Sequence, residues 1–95
     1  MKIYCYSQSD ITAYANKDIW VKAQFEKGPY WTRILSVNGD KCTLNRVSAE
    51  YTDHSAVALG ALVNKVHNCK LDEFSIIKPV ETMSTEELLD LFAGE

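Results

Sequence analysis

Three runs of β-branched and aromatic residues, separated by two turn signals, constrain the fold of this chain more than any other feature. The runs lie between Trp20 and Val47, and the turn signals are Lys27-Gly28-Pro29 and Asn38-Gly39-Asp40. Successive side chains of a strand point to opposite faces. One face of the first strand would carry Ile19, Val21, Ala23 and Phe25, and the other Trp20, Lys22 and Gln24. The segment predicts a meander of three strands whose first strand turns the former set towards the core.

The second turn leaves the strand register open. Asn38-Gly39 is a strong hairpin signal, because a type I′ turn needs positive φ at both central residues and Asn and Gly tolerate it best. A two-residue loop would pair Val37 with Asp40, whereas a three-residue loop with a bulge would bring Ile34 opposite Leu44. We favour the bulged register because it places two apolar side chains opposite each other.

The residues before the meander predict two short elements. Ile3 to Tyr6 alternate in the manner of a strand with bulk on both faces. After Asp10, a brief helical turn and an irregular loop both fit the sequence. A helical turn would place three residues on one face, namely Ile11, Tyr14 and Ala15.

The residues after the meander predict a helix and a strand. We expect a helix from about Ser55 to Val66, after a cap at Thr52-Asp53, because four apolar residues fall near one helical face. These are Ala56, Leu59, Val63 and Val66. Gly60 weakens such a helix by roughly 1 kcal/mol relative to alanine, so we expect a close packing contact at this glycine. Leu71 to Ile77 has strand composition and is followed by Pro79.

The end of the chain predicts a short amphipathic helix. Ser84-Thr85-Glu86-Glu87 has the spacing of a capping box, with serine at the cap and glutamate three residues later. The apolar residues Leu88, Leu89, Leu91 and Phe92 follow.

Composition limits the class of protein. A length of 95 residues with 46% hydrophobic and 24% charged residues fits one soluble domain with a modest core. A net charge of −3 and scattered basic residues argue against a broad phosphate-binding face. The amino terminus turns polar at Ser7, and no run approaches the roughly 20 apolar residues of a membrane helix. We therefore expect a cytoplasmic protein with no membrane contact.

The polar residues predict neither catalysis nor a cofactor. Cys5, Cys42 and Cys69 are widely spaced and odd in number, which favours free, reduced thiols. His54 and His67 could approach a cysteine, but one close pair of ligands is too few for a typical structural zinc site, and nothing nearby would orient a nucleophile. The adjacent carboxylates and isolated glycines form no acid–base pair or phosphate loop. We predict no enzyme activity, no metal and no cofactor.

The aromatic residues suggest a binding surface. Eight lie in the first 51 residues, more than one small core easily holds: Tyr4, Tyr6, Tyr14, Trp20, Phe25, Tyr30, Trp31 and Tyr51. They either plug the open ends of a small barrel or form a recognition surface for a peptide, a cation or a stacked base. The surface interpretation assigns binding to Phe25, Tyr30, Trp31, Tyr51 and Trp20.

The meander resembles the first three strands of a Tudor-type SH3-like barrel. The resemblance rests on about 30 residues: Val21 to Phe25, then Gly28, then Tyr30-Trp31-Thr32-Arg33-Ile34-Leu35-Ser36-Val37, and Asn38-Gly39-Asp40. Members of that family often bind methylated Lys or Arg, or another peptide, in an aromatic cage. The resemblance places Phe25 and Tyr30 at cage positions, with Tyr51 a looser candidate. Ser48 to Asp53 departs from the Asp-Tyr-Gly stretch that the family usually has next.

The tail carries a second, shorter resemblance. Leu88-Leu89-Asp90-Leu91-Phe92 is similar to the peptide by which bacterial proteins dock on the sliding clamp, with leucine in place of the usual first glutamine. In that interpretation Leu89, Leu91 and Phe92 would contact a partner. A helix packed on its own domain needs the same apolar residues, and burial of Phe92 distinguishes the two.

Together these features predict a mainly β, α+β fold. We expect an SH3-like small barrel over residues 1–82 with a central helix near 55–66, and a carboxy-terminal amphipathic helix or tail over 83–95. The expected function is a non-enzymatic interaction module that binds a protein or peptide through its aromatic surface. Its size and acidic charge would suit an accessory or inhibitory protein of a mobile element. The alternative is a small nucleic-acid-binding barrel that uses Lys22, Arg33, Lys41 and Arg46 beside exposed aromatics.

Overall fold

A computed structural model describes residues 11–51 and 56–93 of the chain. The expected strand at Ile3–Tyr6, the cap at Thr52-Asp53, Cys5 and His54 lie outside the described residues. Six strands, two α-helices and one 3-10 helix occur in the described part. In chain order they are β1 Trp20–Phe25, β2 Gly28–Asn38, β3 Lys41–Ser48, α1 Ala56–Val63, β4 Val66–Lys70, the 3-10 helix Leu71–Glu73, β5 Phe74–Ile76, β6 Thr82–Met83 and α2 Thr85–Ala93.

The strands form one antiparallel sheet in the order β4-β3-β2-β1-β5. β5 pairs with the second half of β1, and β6 pairs with its first half along the same edge. The fold is therefore mainly antiparallel β with two short helices, in agreement with the expected α+β class. Over residues 11–51 and 56–93 the sheet is open, with β4 at one edge and β5 and β6 at the other.

The β2–β3 hairpin contains the expected apolar pair, but its bulge and its loop lie at other positions than predicted. Ile34 lies opposite Leu44, as the bulged register predicts. The register shift, however, lies between Ile34 and Ser36 within β2, and Asn38 pairs with Lys41. The loop is thus Gly39-Asp40 rather than Asn38-Gly39. Gly39 has a φ of 67°, and positive φ at the first loop position is what a type II′ hairpin requires.

The region from 56 to 77 differs from expectation. α1 ends at Val63, and Val66 begins β4 instead of completing the helix. The helix stops where Asn64 donates from its side chain to the Gly60 carbonyl at 3.0 Å, and its backbone NH donates to the same oxygen at 3.1 Å. The expected strand from Leu71 to Ile77 shortens to Phe74–Ile76, because Leu71–Glu73 forms the 3-10 helix.

Gly60 does not make the expected packing contact. Apart from its chain neighbours and the local helix backbone, no atom of the described residues lies within 4 Å of the position that a β-carbon would take. The described part of the fold therefore leaves room for a side chain at this position.

Two apolar clusters lie on opposite faces of the sheet. We call the first the sheet cluster: its buried members are Ile11, Val21, Ala23, Phe25, Ile34, Cys42, Leu44, Leu71, Phe74 and Ile76. We call the second the helix cluster: its buried members are Trp20, Trp31, Val47, Leu59, Val63, Leu88 and Phe92. The first lies on the face that the alternation of β1 predicted as core. Because α1 and α2 cover part of the other face, Trp20 at the start of β1 is buried as well, whereas Lys22 and Gln24 on that face are half-buried.

Helix α2 is fixed to the start of β1 by hydrogen bonds. The expected capping box is present: the Glu87 NH donates to Ser84 Oγ at 3.2 Å, and the Ser84 NH donates to Glu87 Oε1 at 2.8 Å. Trp20 Nε1 donates to Thr85 Oγ1 at 2.8 Å, and the Thr85 hydroxyl and NH both donate to Asp18 Oδ1. These bonds to Thr85 lower the pKa of the Asp18 carboxyl below its usual value, and the charge of Arg33 adds a smaller effect. The tail is thus part of the folded domain.

Candidate functional site

The side chain of Arg46 stacks on two aromatic rings at one end of the sheet cluster. Its guanidinium carbon lies 4.8 Å from the ring centroid of Phe25 and 4.7 Å from that of Tyr30. The register explains this arrangement: Arg46 lies opposite Thr32, so Tyr30 is its diagonal neighbour on the same face of the sheet. Cation–π contacts with two rings restrict the orientation of the guanidinium.

The aromatic rings also support one another. Phe25 and Tyr30 meet edge to face at 5.3 Å, and Phe25 stacks on Phe74 at 4.9 Å with an interplanar angle of 20°. Phe25 and Phe74 are paired residues of β1 and β5. We call Phe25, Tyr30, Phe74 and Arg46 the Arg46 cluster. Phe25 and Phe74 are buried, whereas Tyr30 and Arg46 are half-buried and reach solvent.

A cleft of about 520 Å³ opens beside this cluster. Its lining residues are Gln24, Phe25, Glu26, Lys27, Arg46, Asp72, Glu73, Phe74 and Ser75. The β1–β2 turn supplies one wall and the 3-10 helix the other. The charged lining residues are three carboxylates, Glu26, Asp72 and Glu73, and two cations, Lys27 and Arg46. Phe25 and Phe74 also line the cleft, although little of either side chain is exposed. Such a mixed lining can pair with the polar and charged groups of a peptide segment.

The positive charge of Arg46 also affects the pKa of His67 in strand β4. Partial burial lowers the pKa of the His67 imidazole, and the positive charges of Arg46 and Lys65 lower it further. His67 therefore stays neutral near pH 7 and adds no positive charge beside the guanidinium.

The predicted aromatic binding surface is divided between the two faces of the sheet. Phe25 and Tyr30 lie on the face of the sheet cluster, whereas Trp20, Trp31 and Tyr51 belong to the helix cluster. The expectation of one shared surface therefore needs correction. Trp20 and Trp31 are only 0% and 3% exposed because the two helices cover them, and the Lys22 ammonium lies 5.2 Å from the Trp31 ring centroid. Tyr51 packs edge to face on Phe92 at 6.3 Å.

The three residues expected to dock on a clamp differ in exposure. Phe92 is buried in the helix cluster, and Leu89 is half-buried against it. Leu91 is 54% exposed. In this structure Phe92 packs on its own domain, which is the arrangement expected of an intramolecular helix.

The cations of the nucleic-acid alternative do not share one surface. Strand alternation places Lys22 and Arg33 on the helix-cluster face, where Arg33 Nε donates to the Lys17 carbonyl at 3.2 Å. Arg46 stacks on the opposite face. No group of three His, Cys, Asp or Glu side chains suited to a metal occurs within the described ranges.

Sequence identified Arg46 only as one of four cations of the nucleic-acid alternative, and it identified Phe74 only as part of a strand. The β2–β3 register could have placed Arg46 beside Tyr30, because it makes the two residues diagonal neighbours. The pairing of Phe74 with Phe25 joins distant strands, and no local signal identifies it.

No protein-family model, curated protein or solved structure matches the chain. Within the described part, no helix is both long and apolar enough to cross a membrane.

Proposed function

We propose that the chain is a cytoplasmic, non-enzymatic interaction module, an open relative of the SH3-like barrel, that binds a peptide segment in the cleft beside Arg46. The observation that carries the proposal is the guanidinium stacked on Phe25 and Tyr30 at the edge of a cleft of about 520 Å³. A side chain held in this way loses less rotamer freedom when it binds, which favours affinity.

The same stacking modifies what the Tudor resemblance implies. A cage for methylated Lys or Arg needs open aromatic faces, whereas here the protein's own Arg46 lies on Phe25 and Tyr30. The group that suits this arrangement is a carboxylate, because a guanidinium can donate two parallel hydrogen bonds to it. The proposed ligand is therefore a peptide whose acidic residue pairs with Arg46, while its other residues meet the charges of both signs that line the cleft.

A peptide-library selection followed by calorimetry tests the proposal. We expect the selected peptides to be enriched in Asp or Glu. Arg46→Lys should weaken their binding roughly tenfold or more, because lysine keeps the charge but loses the planar two-donor contact. Tyr30→Ala should weaken binding as well, with circular dichroism confirming that the variant is folded.

Arg33→Lys is the matched control, since Arg33 lies on the opposite face of the sheet. It should bind the peptides as the parent does. Selected peptides that bind the parent, Arg46→Lys and Tyr30→Ala equally, or a selection that enriches no peptide, would overturn the proposal.

A further inference from the structure

Cys42 and Cys69 form a cross-strand thiol pair. They are directly opposed residues of β3 and β4, and their sulfur atoms lie 3.6 Å apart. Cys42 is buried at 3% exposure, whereas Cys69 is half-buried. Cys69 is therefore the more exposed residue of the pair, and Cys42 lies directly opposite it.

We propose that Cys42 and Cys69 are a redox modification site, which a low-molecular-mass disulfide oxidises to an intramolecular disulfide. Opposed strand residues already have their Cβ atoms close together, and disulfide formation needs the sulfurs to approach from 3.6 Å to about 2.05 Å. β4 is an edge strand of the described sheet. An edge strand can make such a small adjustment without disturbing a second neighbour.

The hydrogen bond between the two thiols shifts their pKa values in opposite directions. Donation by the Cys69 thiol lowers the pKa of Cys42, while burial and the Glu73 carboxylate oppose this effect. The same bond raises the pKa of Cys69, so the first proton leaves more easily than the second. Either sulfur can be the donor. The charge therefore forms first on Cys42, and transfer of the bridging proton from Cys69 to Cys42 places it on Cys69, the more exposed residue of the pair.

The reaction is two successive thiol–disulfide exchanges. The Cys69 thiolate attacks one sulfur of the oxidant R–S–S–R; a Cys69–S–S–R bond forms, and the other half leaves as R–S⁻ and takes a proton. Cys42 then gives up its proton and attacks Cys69 Sγ. The Cys42–Cys69 bond forms, and the second R–S⁻ leaves and is protonated. The protein loses two hydrogen atoms and the oxidant becomes two molecules of R–SH.

The new bond would stabilise a specific part of the fold. Cys42 and Cys69 are 27 positions apart, and the enclosed segment contains α1. Closing this loop restricts the unfolded chain. Oxidation should therefore raise the unfolding temperature and secure both α1 and the edge strand β4.

Oxidised glutathione is the probe for the test, and a Cys5→Ser background removes the third thiol. The folded Cys5→Ser protein should lose the mass of two hydrogen atoms, become resistant to alkylation at both thiols and unfold at higher temperature, without forming an intermolecular disulfide. A reductant should reverse these three changes. Two thiols that stay open to alkylation, a persistent glutathione adduct or an intermolecular disulfide would each overturn the proposal.

Single variants in that background test the order of attack. Adding Cys42→Ser should trap glutathione on Cys69, because the resolving thiol is absent. Adding Cys69→Ser should slow the reaction roughly tenfold or more, because the remaining thiol is buried. Equal reaction rates of the two variants would contradict the assignment of Cys69 as the first nucleophile.

Discussion

Replacing Thr85 with valine removes one hydroxyl that joins two elements of the fold. That oxygen accepts from Trp20 Nε1 at 2.8 Å and donates to Asp18. Trp20 has 0% exposure, and within the described residues no buried side-chain nitrogen or oxygen lacks a partner. Valine has nearly the same shape, so Thr85→Val leaves the indole NH buried without an acceptor.

Most of the expected loss of stability comes from the indole NH of Trp20, which would be left without an acceptor. A buried donor left without a partner costs about 1–3 kcal/mol. The Asp18 carboxylate is exposed and returns to water, so it adds little. We expect Thr85→Val to lower the free energy of unfolding by about 2 kcal/mol. For a domain of this size the unfolding temperature should fall by roughly 10 °C.

Urea denaturation followed by tryptophan fluorescence measures this difference. Both tryptophans belong to the helix cluster, so their emission reports its unfolding. Thr85→Ser is the matched control: it keeps the hydroxyl and should stay within about 1 kcal/mol of the parent. A Thr85→Val protein no less stable than the Thr85→Ser protein would refute the role assigned to this hydroxyl.

Three further predictions concern stability. Gly60→Ala should raise the free energy of unfolding by about 1 kcal/mol in a urea titration, because the site has room for a β-carbon; destabilisation would contradict the helical position. The hydrogen bonds that lower the Asp18 pKa stabilise the fold above about pH 4, and this contribution should disappear as pH falls through the lowered value. The stability difference between the parent and Asp18→Asn should therefore shrink in acid, and a constant difference would count against these bonds. Phe92→Ala should cost about 3 kcal/mol or more by thermal unfolding, whereas Leu91→Ala at an exposed position should cost no more than about 0.5 kcal/mol; equal costs would contradict the packing of α2.

The strands were predictable because their pattern is local. Alternation in β1 identified Val21, Ala23 and Phe25 as facing the core, and the pairing of Ile34 with Leu44 followed from matching apolar residues. Capping of α2 was equally local, since Ser84 and Glu87 complete it within one turn.

The second apolar layer was not predictable in the same way. Trp20 and Trp31 are buried because α1 and α2 pack over them, and no local pattern states which sheet face a distant helix will cover. The end of α1 was missed because Val63 and Val66 are equally apolar, although one is buried in a helix and the other begins an edge strand. The predicted pairing of Ile34 with Leu44 also places Arg46 opposite Thr32, but sequence did not show that the guanidinium lies on the rings of Phe25 and Tyr30.

An amide NMR titration shows whether a peptide binds at the Arg46 cluster. Isotope-labelled protein would be titrated with an acidic peptide enriched by the selection. We predict that the amide signals of Tyr30, Arg46 and Phe74 and the guanidinium signal of Arg46 move with increasing peptide, while the indole signals of Trp20 and Trp31 remain in place. Shifts confined to the helix cluster, with the Arg46 signals unmoved, would show that the peptide binds elsewhere.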